Sequence, residues 1–154
     1  MEWEIVLDWF VSYLANSSQY VKIDDTSSAL LNVSCGVPQG SILGPLLFII
    51  YINDITNASN IAMFILFADD TNLFFKHHDL NTLFKNINFE LSKIAVWFKI
   101  NKSLLNTKKR NYILFHSGNK KVDNLGLEIL IDNVKVNQVH HTKFLGVVIN
   151  SRLN

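Results

Sequence analysis

The chain alternates between two hydrophobic spacings. From Glu4 to Leu14, Ile5, Phe10, Tyr13 and Leu14 can share a helical face, and Asn16-Ser17-Ser18 ends the run. Gln19 to Ile23 and Leu30 to Ser34 read as strands around the turn-rich Asp24-Asp25-Thr26-Ser27-Ser28. Gly36 to Gly44 is a glycine-punctuated loop. Pro45 suits the first position of a helix running to about Asp54, where its missing N–H needs no partner. Ile61 to Phe67 and Thr71 to Lys76 are short apolar segments flanking Ala68-Asp69-Asp70, a hairpin signal with an acidic tip. Asp79 then suits the N-cap of a long helix to about Ile100. Its stripe is Leu80, Leu83, Phe84, Ile87, Leu91, Ile94 and Phe98, spaced by three and four. A basic connection, Asn101 to Arg110, leads to strands at Asn111–His116, Leu127–Ile131, Val134–Val136 and Lys143–Ile149. The layout predicts an α+β fold, with antiparallel hairpins packed against helices.

The length, 154 residues, bounds this to one domain with a modest core. No repeat, low-complexity tract or linker divides it. The longest apolar run, Ile42 to Ile52, is interrupted by Gly44 and Pro45. A membrane-spanning helix needs about 20 apolar residues, so none is expected. The acidic start, Met1-Glu2-Trp3-Glu4, is not followed by the apolar stretch of a signal peptide, so the expectation is a protein that is not secreted. A single cysteine, Cys35, excludes an internal disulfide framework and a Cys-rich zinc site. His77, His78, His116, His140 and His141 stand in no metal-ligand spacing with it. The net charge of +1 conceals a split. Residues 1–75 carry eight acidic residues and one basic, Lys22, whereas residues 76–154 carry thirteen basic and five acidic. Such asymmetry fits either an anionic partner for the second half, nucleic acid included, or a solvated lysine surface.

Two segments carry candidate chemistry. In Phe67-Ala68-Asp69-Asp70, adjacent carboxylates at an apolar hairpin tip repel unless solvated or neutralised by a cation. Mg²⁺ is the hard cation that takes one or two carboxylates plus substrate phosphates, and two such ions can clamp a phosphoryl transfer. Asp-Asp is also ordinary turn chemistry. In Gly36-Val37-Pro38-Gln39-Gly40-Ser41, the glycines permit close backbone approach to a ligand and Pro38 stiffens the loop. Gln39 offers both a donor and an acceptor. The loop enters a helix start, which favours anions. A plain strand-to-helix turn would look the same.

Together the segments are no longer generic. Gly-Val-Pro-Gln-Gly-Ser, a helix, and Phe-Ala-Asp-Asp about thirty residues on resemble reverse transcriptases. Leu7-Asp8-Trp9-Phe10-Val11-Ser12-Tyr13-Leu14, Cys35 through Phe48, Tyr51-Ile52-Asn53-Asp54 and Phe67-Ala68-Asp69-Asp70-Thr71 narrow this to non-LTR retrotransposon enzymes of the jockey-like kind. Asn106 with Lys109, and Lys143-Phe144-Leu145-Gly146-Val147, fit the same family. The resemblance runs from about Leu7 to Val148. It implies that Asp69 and Asp70 bind metal, as part of a site for two Mg²⁺ ions, with Asp69 the more direct ligand. Phe67 and Ala68 would lie beside the primer terminus and incoming nucleotide. Pro38, Gln39, Gly40 and Ser41 would face template and nucleotide. Lys109 would stand near the leaving pyrophosphate, as its general acid. Lys143, Phe144, Leu145 and Gly146 would belong to a hairpin that grips the primer.

The resemblance also implies something outside this sequence. In the family an upstream strand bears an aspartate that bridges both metals and pairs with the Asp-Asp hairpin. The sequence starts at the helix after it, and Asp8 matches that helix rather than the missing ligand. The expectation is therefore one partial palm over residues 1–154, without the first catalytic strand, fingers or complete thumb, and inactive in isolation. An open hairpin edge would invite self-association. Arg110, where threonine is usual, and the transposed-looking Ser103-Leu104 are smaller departures. Two functions remain. One is part of an RNA-directed DNA polymerase, using RNA template, DNA primer and deoxynucleotides. The other is a non-catalytic remnant or nucleic-acid-binding module. The family implies nuclear or cytoplasmic residence; Lys108-Lys109-Arg110 is better explained as active-site edge than as an import signal.

Overall fold

The computed structural model describes residues 2–37, 40–103, 105–106, 110–116 and 126–152. It falls into two units, Met1–Ile52 and Asn53–Asn154. In the first, α1 (Glu2–Leu14) starts earlier than the apolar pattern suggests, because no glycine or proline weakens its first turn. Asn16 stops it by adopting a left-handed φ of 57°, which asparagine tolerates better than most residues. Of the four residues expected to share a face, Phe10 and Tyr13 are half-buried, while Ile5 and Leu14 stay exposed.

The two strands expected next form one interrupted hairpin of β1 (Ser18–Gln19), β2 (Lys22–Ile23), β3 (Thr26–Ser27) and β4 (Leu31–Asn32). β1 pairs antiparallel with β4 and β2 with β3. Ser28 causes the interruption. Its hydroxyl accepts from Val21 N at 2.9 Å, taking a donor that a regular ladder would give to backbone. After the glycine loop, α2 (Gly44–Asn53) begins one residue before Pro45. The Ser41 hydroxyl accepts from Gly44 N at 3.1 Å and caps this start.

The second unit opens with a 3₁₀ turn, η1 (Asp54–Ala58), and an antiparallel hairpin of β5 (Met63–Phe67) and β6 (Asp70–Phe74). Then comes α3 (Leu80–Ile100), capped as its sequence predicts: Asp79 Oδ2 accepts from Thr82 N at 2.7 Å. The expected stripe is its inner face. Leu83, Phe84, Ile87 and Leu91 form the core with Leu114, Ile129 and Val136, and Leu73, Phe75 and Leu80 pack at its margin. Each fully buried side chain contributes roughly 1.5–3 kcal/mol. The exposed Lys99–Asp132 pair contributes about 0–1 kcal/mol. Packing on α3, not surface charge, holds the unit together.

The remaining strands are shorter than the hydrophobic pattern suggests: β7 (Asn111–Tyr112), β8 (Leu130–Ile131), β9 (Val134–Lys135) and β10 (Asn137–Gln138). β8 and β9 form a hairpin, but β7 pairs with β10 in parallel, a departure from the all-antiparallel expectation. The stretch Lys143–Ile149, read from hydrophobicity as one strand, is instead folded back as β11 (His141–Phe144) and β12 (Val147–Asn150). Leu145 (φ 47°) and Gly146 (φ 88°) are both left-handed and make the tight turn between them. No helix among the described residues is long and apolar enough to cross a membrane.

Candidate active-site hairpin

The register of β5 and β6 runs from Met63↔Phe74 to Phe67↔Asp70, leaving Ala68 and Asp69 as a two-residue turn. Ala68 is left-handed, with φ 49°. Asp69 therefore stands at the apex, and Asp70 is the first residue of β6. Both are exposed, and Phe67 beside them is 60% exposed. Alternation along β6 puts Asp70, Asn72 and Phe74 on one face and Thr71 and Leu73 on the other. Leu73 packs against the core, so the base of the hairpin is anchored while its acidic tip is free.

Among the described residues, Asp69 and Asp70 join none of the ion pairs, which link Lys93 to Glu90, Lys99 to Asp132 and Lys135 to Glu128. No cluster of three or more His, Cys, Asp or Glu side chains that could hold a metal occurs among those residues. The donor chemistry of the pair does fit Mg²⁺, which takes hard carboxylate oxygens and fills its remaining positions with water and phosphate.

The segment implied to grip a primer lies in the same unit. Lys143 is exposed and pairs with Val148, while Phe144 is half-buried and closes the turn opposite Val147. Phe144 meets Phe74 edge-to-face, with ring centroids 6.0 Å apart at 89°. The base of the acidic hairpin and the turn end of the β11–β12 hairpin are thus in contact, through Phe74 and Phe144. The contact is four residues from Asp70, about 13 Å along the strand. Gly40 (φ 78°) and Ser41 belong to the first unit, where Ser41 serves as the helix cap. Pro38, Gln39 and Lys109 lie outside the described residues.

One group in this unit escaped the sequence reading. Glu90 is only 4% exposed although charged. Its Oε1 accepts from Lys93 Nζ at 2.7 Å, and that ammonium also stands 4.4 Å from the centre of the Phe89 ring. The Lys93 hydrogen bond, then the Ser59 hydroxyl, hold the Glu90 carboxyl below its ordinary range against the opposing effect of burial. Oε2 is buried without a well-aligned hydrogen bond. The signal was present: Glu90 follows Ile87 by three residues and immediately precedes Leu91, a charge at a stripe position.

The sequence profile of the reverse transcriptase (RNA-dependent DNA polymerase) family matches residues 2–149. Two Drosophila melanogaster proteins are similar over 149 residues, covering 92% of this chain. The probable RNA-directed DNA polymerase from transposon X-element is 30% identical, and that from transposon BS is 28% identical. The chain spans 16% of the length of each. No solved structure matches it. The matched family covers nearly every described element, the Asp69–Asp70 hairpin included, and the chain belongs to the reverse transcriptase (RNA-dependent DNA polymerase) family.

Proposed function

We propose that residues 1–154 are part of the palm of a non-LTR retrotransposon reverse transcriptase and act within one polymerase domain. The reaction is nucleotidyl transfer. The primer 3′ oxygen attacks the α-phosphorus of a deoxynucleoside triphosphate, and pyrophosphate leaves. The observation that carries this reading is the exposed Asp69–Asp70 pair on a hairpin whose base is packed on α3. A fixed base and a free acidic tip suit a site that must hold cations while admitting a bulky nucleic acid.

Asp69 and Asp70 hold the ions. Mg²⁺, when bound, supplies positive charge against the phosphates and makes the attacking hydroxyl more acidic. Phe67 offers an exposed aromatic face against which a base can stack. Lys143 offers a cation to the primer backbone. Lys109 donates a proton toward the leaving pyrophosphate, and Pro38, Gln39, Gly40 and Ser41 face the template and nucleotide.

The test is primer extension on an RNA template by the full-length product that carries this segment. Extension should require Mg²⁺, vanish on chelation, and fall to background in the double variant Asp69→Ala, Asp70→Ala. Salt-sensitive template binding with no extension by the unaltered protein would instead favour a non-catalytic nucleic-acid-binding module.

A further inference from the structure

The β5–β6 sheet has two unlike faces. Leu73 packs against the core on α3, and so does Phe75, just beyond the strand. Alternation puts Phe74, between them, on the opposite face. The register sets Met63, Ile65 and Phe67 across from Phe74, Asn72 and Asp70, so all six share that outer face. The β11–β12 hairpin meets it at one end. Its register pairs Thr142 with Ile149 and Phe144 with Val147, and Thr142, Phe144 and Ile149 are half-buried on that side. His141 and Lys143 fall on the other side and are exposed. Among the described residues, none of β11 or β12 belongs to the buried core. The ring of Phe74 instead seats the turn end, edge-to-face with Phe144 at 6.0 Å and 89°, a geometry that aromatic pairs prefer. Leu145 and Gly146, both left-handed, make a tight two-residue turn directly after Phe144, so the turn moves with that ring.

We propose that Phe74 is a positioning residue: its ring seats Phe144 and so fixes the Leu145–Gly146 turn, with Lys143 beside it, on the face of the acidic hairpin that carries Asp70. One strand then holds both groups. Asp70 is the first residue of β6 and Phe74 the last, about 13 Å apart along it. A primer held at the turn and cations held at the tip thereby keep a set separation, because β6 itself is the spacer. A misplacement of about 1 Å can cost on the order of a hundredfold in rate. Leucine at position 74 would keep an apolar side chain there but would offer no ring to Phe144. The consequence for catalysis rests on the polymerase reading; the joint between the two hairpins does not.

The experiment has two arms. In the full chain, hydrogen exchange is measured for Phe74→Leu, Phe144→Leu, the double variant, Phe74→Tyr and the core control Ile94→Ala. Phe74→Leu should speed exchange of the β11 and β12 amides by on the order of tenfold and leave those of β8 and β9 within about twofold. Phe144→Leu should do the same, and the double variant should exchange no faster than either single one, since each removes the same contact. Phe74→Tyr keeps the ring and should exchange like the unaltered chain, whereas Ile94→Ala should speed exchange throughout the unit. In primer extension by the full-length product, Phe74→Leu should lower kcat on the order of tenfold with the nucleotide KM nearly unchanged, and Phe74→Tyr should restore most of it. Unchanged β11–β12 exchange, single effects that multiply in the double variant, or a rise as uniform as that of Ile94→Ala would overturn the proposal. So would a Phe74→Leu enzyme that loses only nucleotide affinity. An unaltered protein that extends no primer would defeat the polymerase reading, and the exchange arm would still decide the joint.

Discussion

At the scale of single residues, the acidic tip rests on an unusual backbone choice. Asn16, Asp24, Asp132 and Asn133 take left-handed conformations at other turns, as their short polar side chains allow. In the candidate site it is Ala68 that does so, immediately before Asp69. An alanine there costs roughly 1–2 kcal/mol relative to glycine. Ala68→Gly removes that strain but frees the unfolded chain, which returns about 0.4–1 kcal/mol. The net expectation is a stabilisation of up to about 1.5 kcal/mol, read from denaturant unfolding; a destabilised variant would mean that the alanine methyl makes a contact worth more than the strain. The acidic pair and its turn were legible from residue types alone. The strained position was not, because in Ala-Asp-Asp the aspartates are the better candidates for a left-handed φ. Glu90 was overlooked for a related reason: a charge on an apolar stripe is ordinarily assigned to solvent, and only its burial reveals otherwise.

At the scale of elements, α3 explains both what the sequence disclosed and what it withheld. Its stripe and Asp79 cap are local properties, so periodicity and one side chain sufficed to locate them. Its C-terminus is less obvious. Lys102 takes the left-handed position usually filled by glycine, with φ 53°, while Ser103 N donates to Phe98 O at 2.9 Å and Lys102 N to Lys99 O at 3.1 Å. The short strands depend on tertiary partners. β8 is docked by Asn88, whose side-chain amide donates to Glu128 O at 2.9 Å and whose carbonyl accepts from Leu130 N at 2.8 Å. No hydrophobic pattern announces that asparagine. Asn88→Ala removes both bonds and leaves two backbone groups to find water. At about 0.5–1.5 kcal/mol for each bond, the loss should be about 1–3 kcal/mol by thermal or denaturant unfolding, with exchange accelerated first at Leu130. A loss within about 0.5 kcal/mol would show that solvent replaces the asparagine readily. The β11–β12 hairpin, which the resemblance implies, was hidden only from the hydrophobic pattern. Leu145-Gly146 is a weaker turn signal than Asn-Gly, so apolar continuity from Phe144 to Ile149 read as a single strand.

For the whole molecule, exposed apolar surface and low net charge combine. Trp3 is 85% exposed, Ile42 96% and Ile100 74%. The net charge is +1, so electrostatic repulsion between copies is weak. Among the described residues, β5 and β6 form a sheet of two strands with no third strand on either edge, and Met63 on β5 is exposed. Unpaired backbone next to apolar side chains is a template for pairing with another chain. Residues 1–154 should therefore self-associate in sedimentation velocity as concentration rises from about 1 to 100 µM. A charge on the edge opposes such pairing, so Met63→Lys should shift the distribution toward monomer. Salt separates this cause from its rival. Opposed charge on the two halves could also bring copies together, but screening weakens that attraction, whereas apolar and backbone pairing persists as salt is raised. Association that dissolves in salt and ignores Met63→Lys would place the contact on the charged surfaces. A monomer over the whole range would mean that the hairpin edge is protected, and self-association through it would be abandoned.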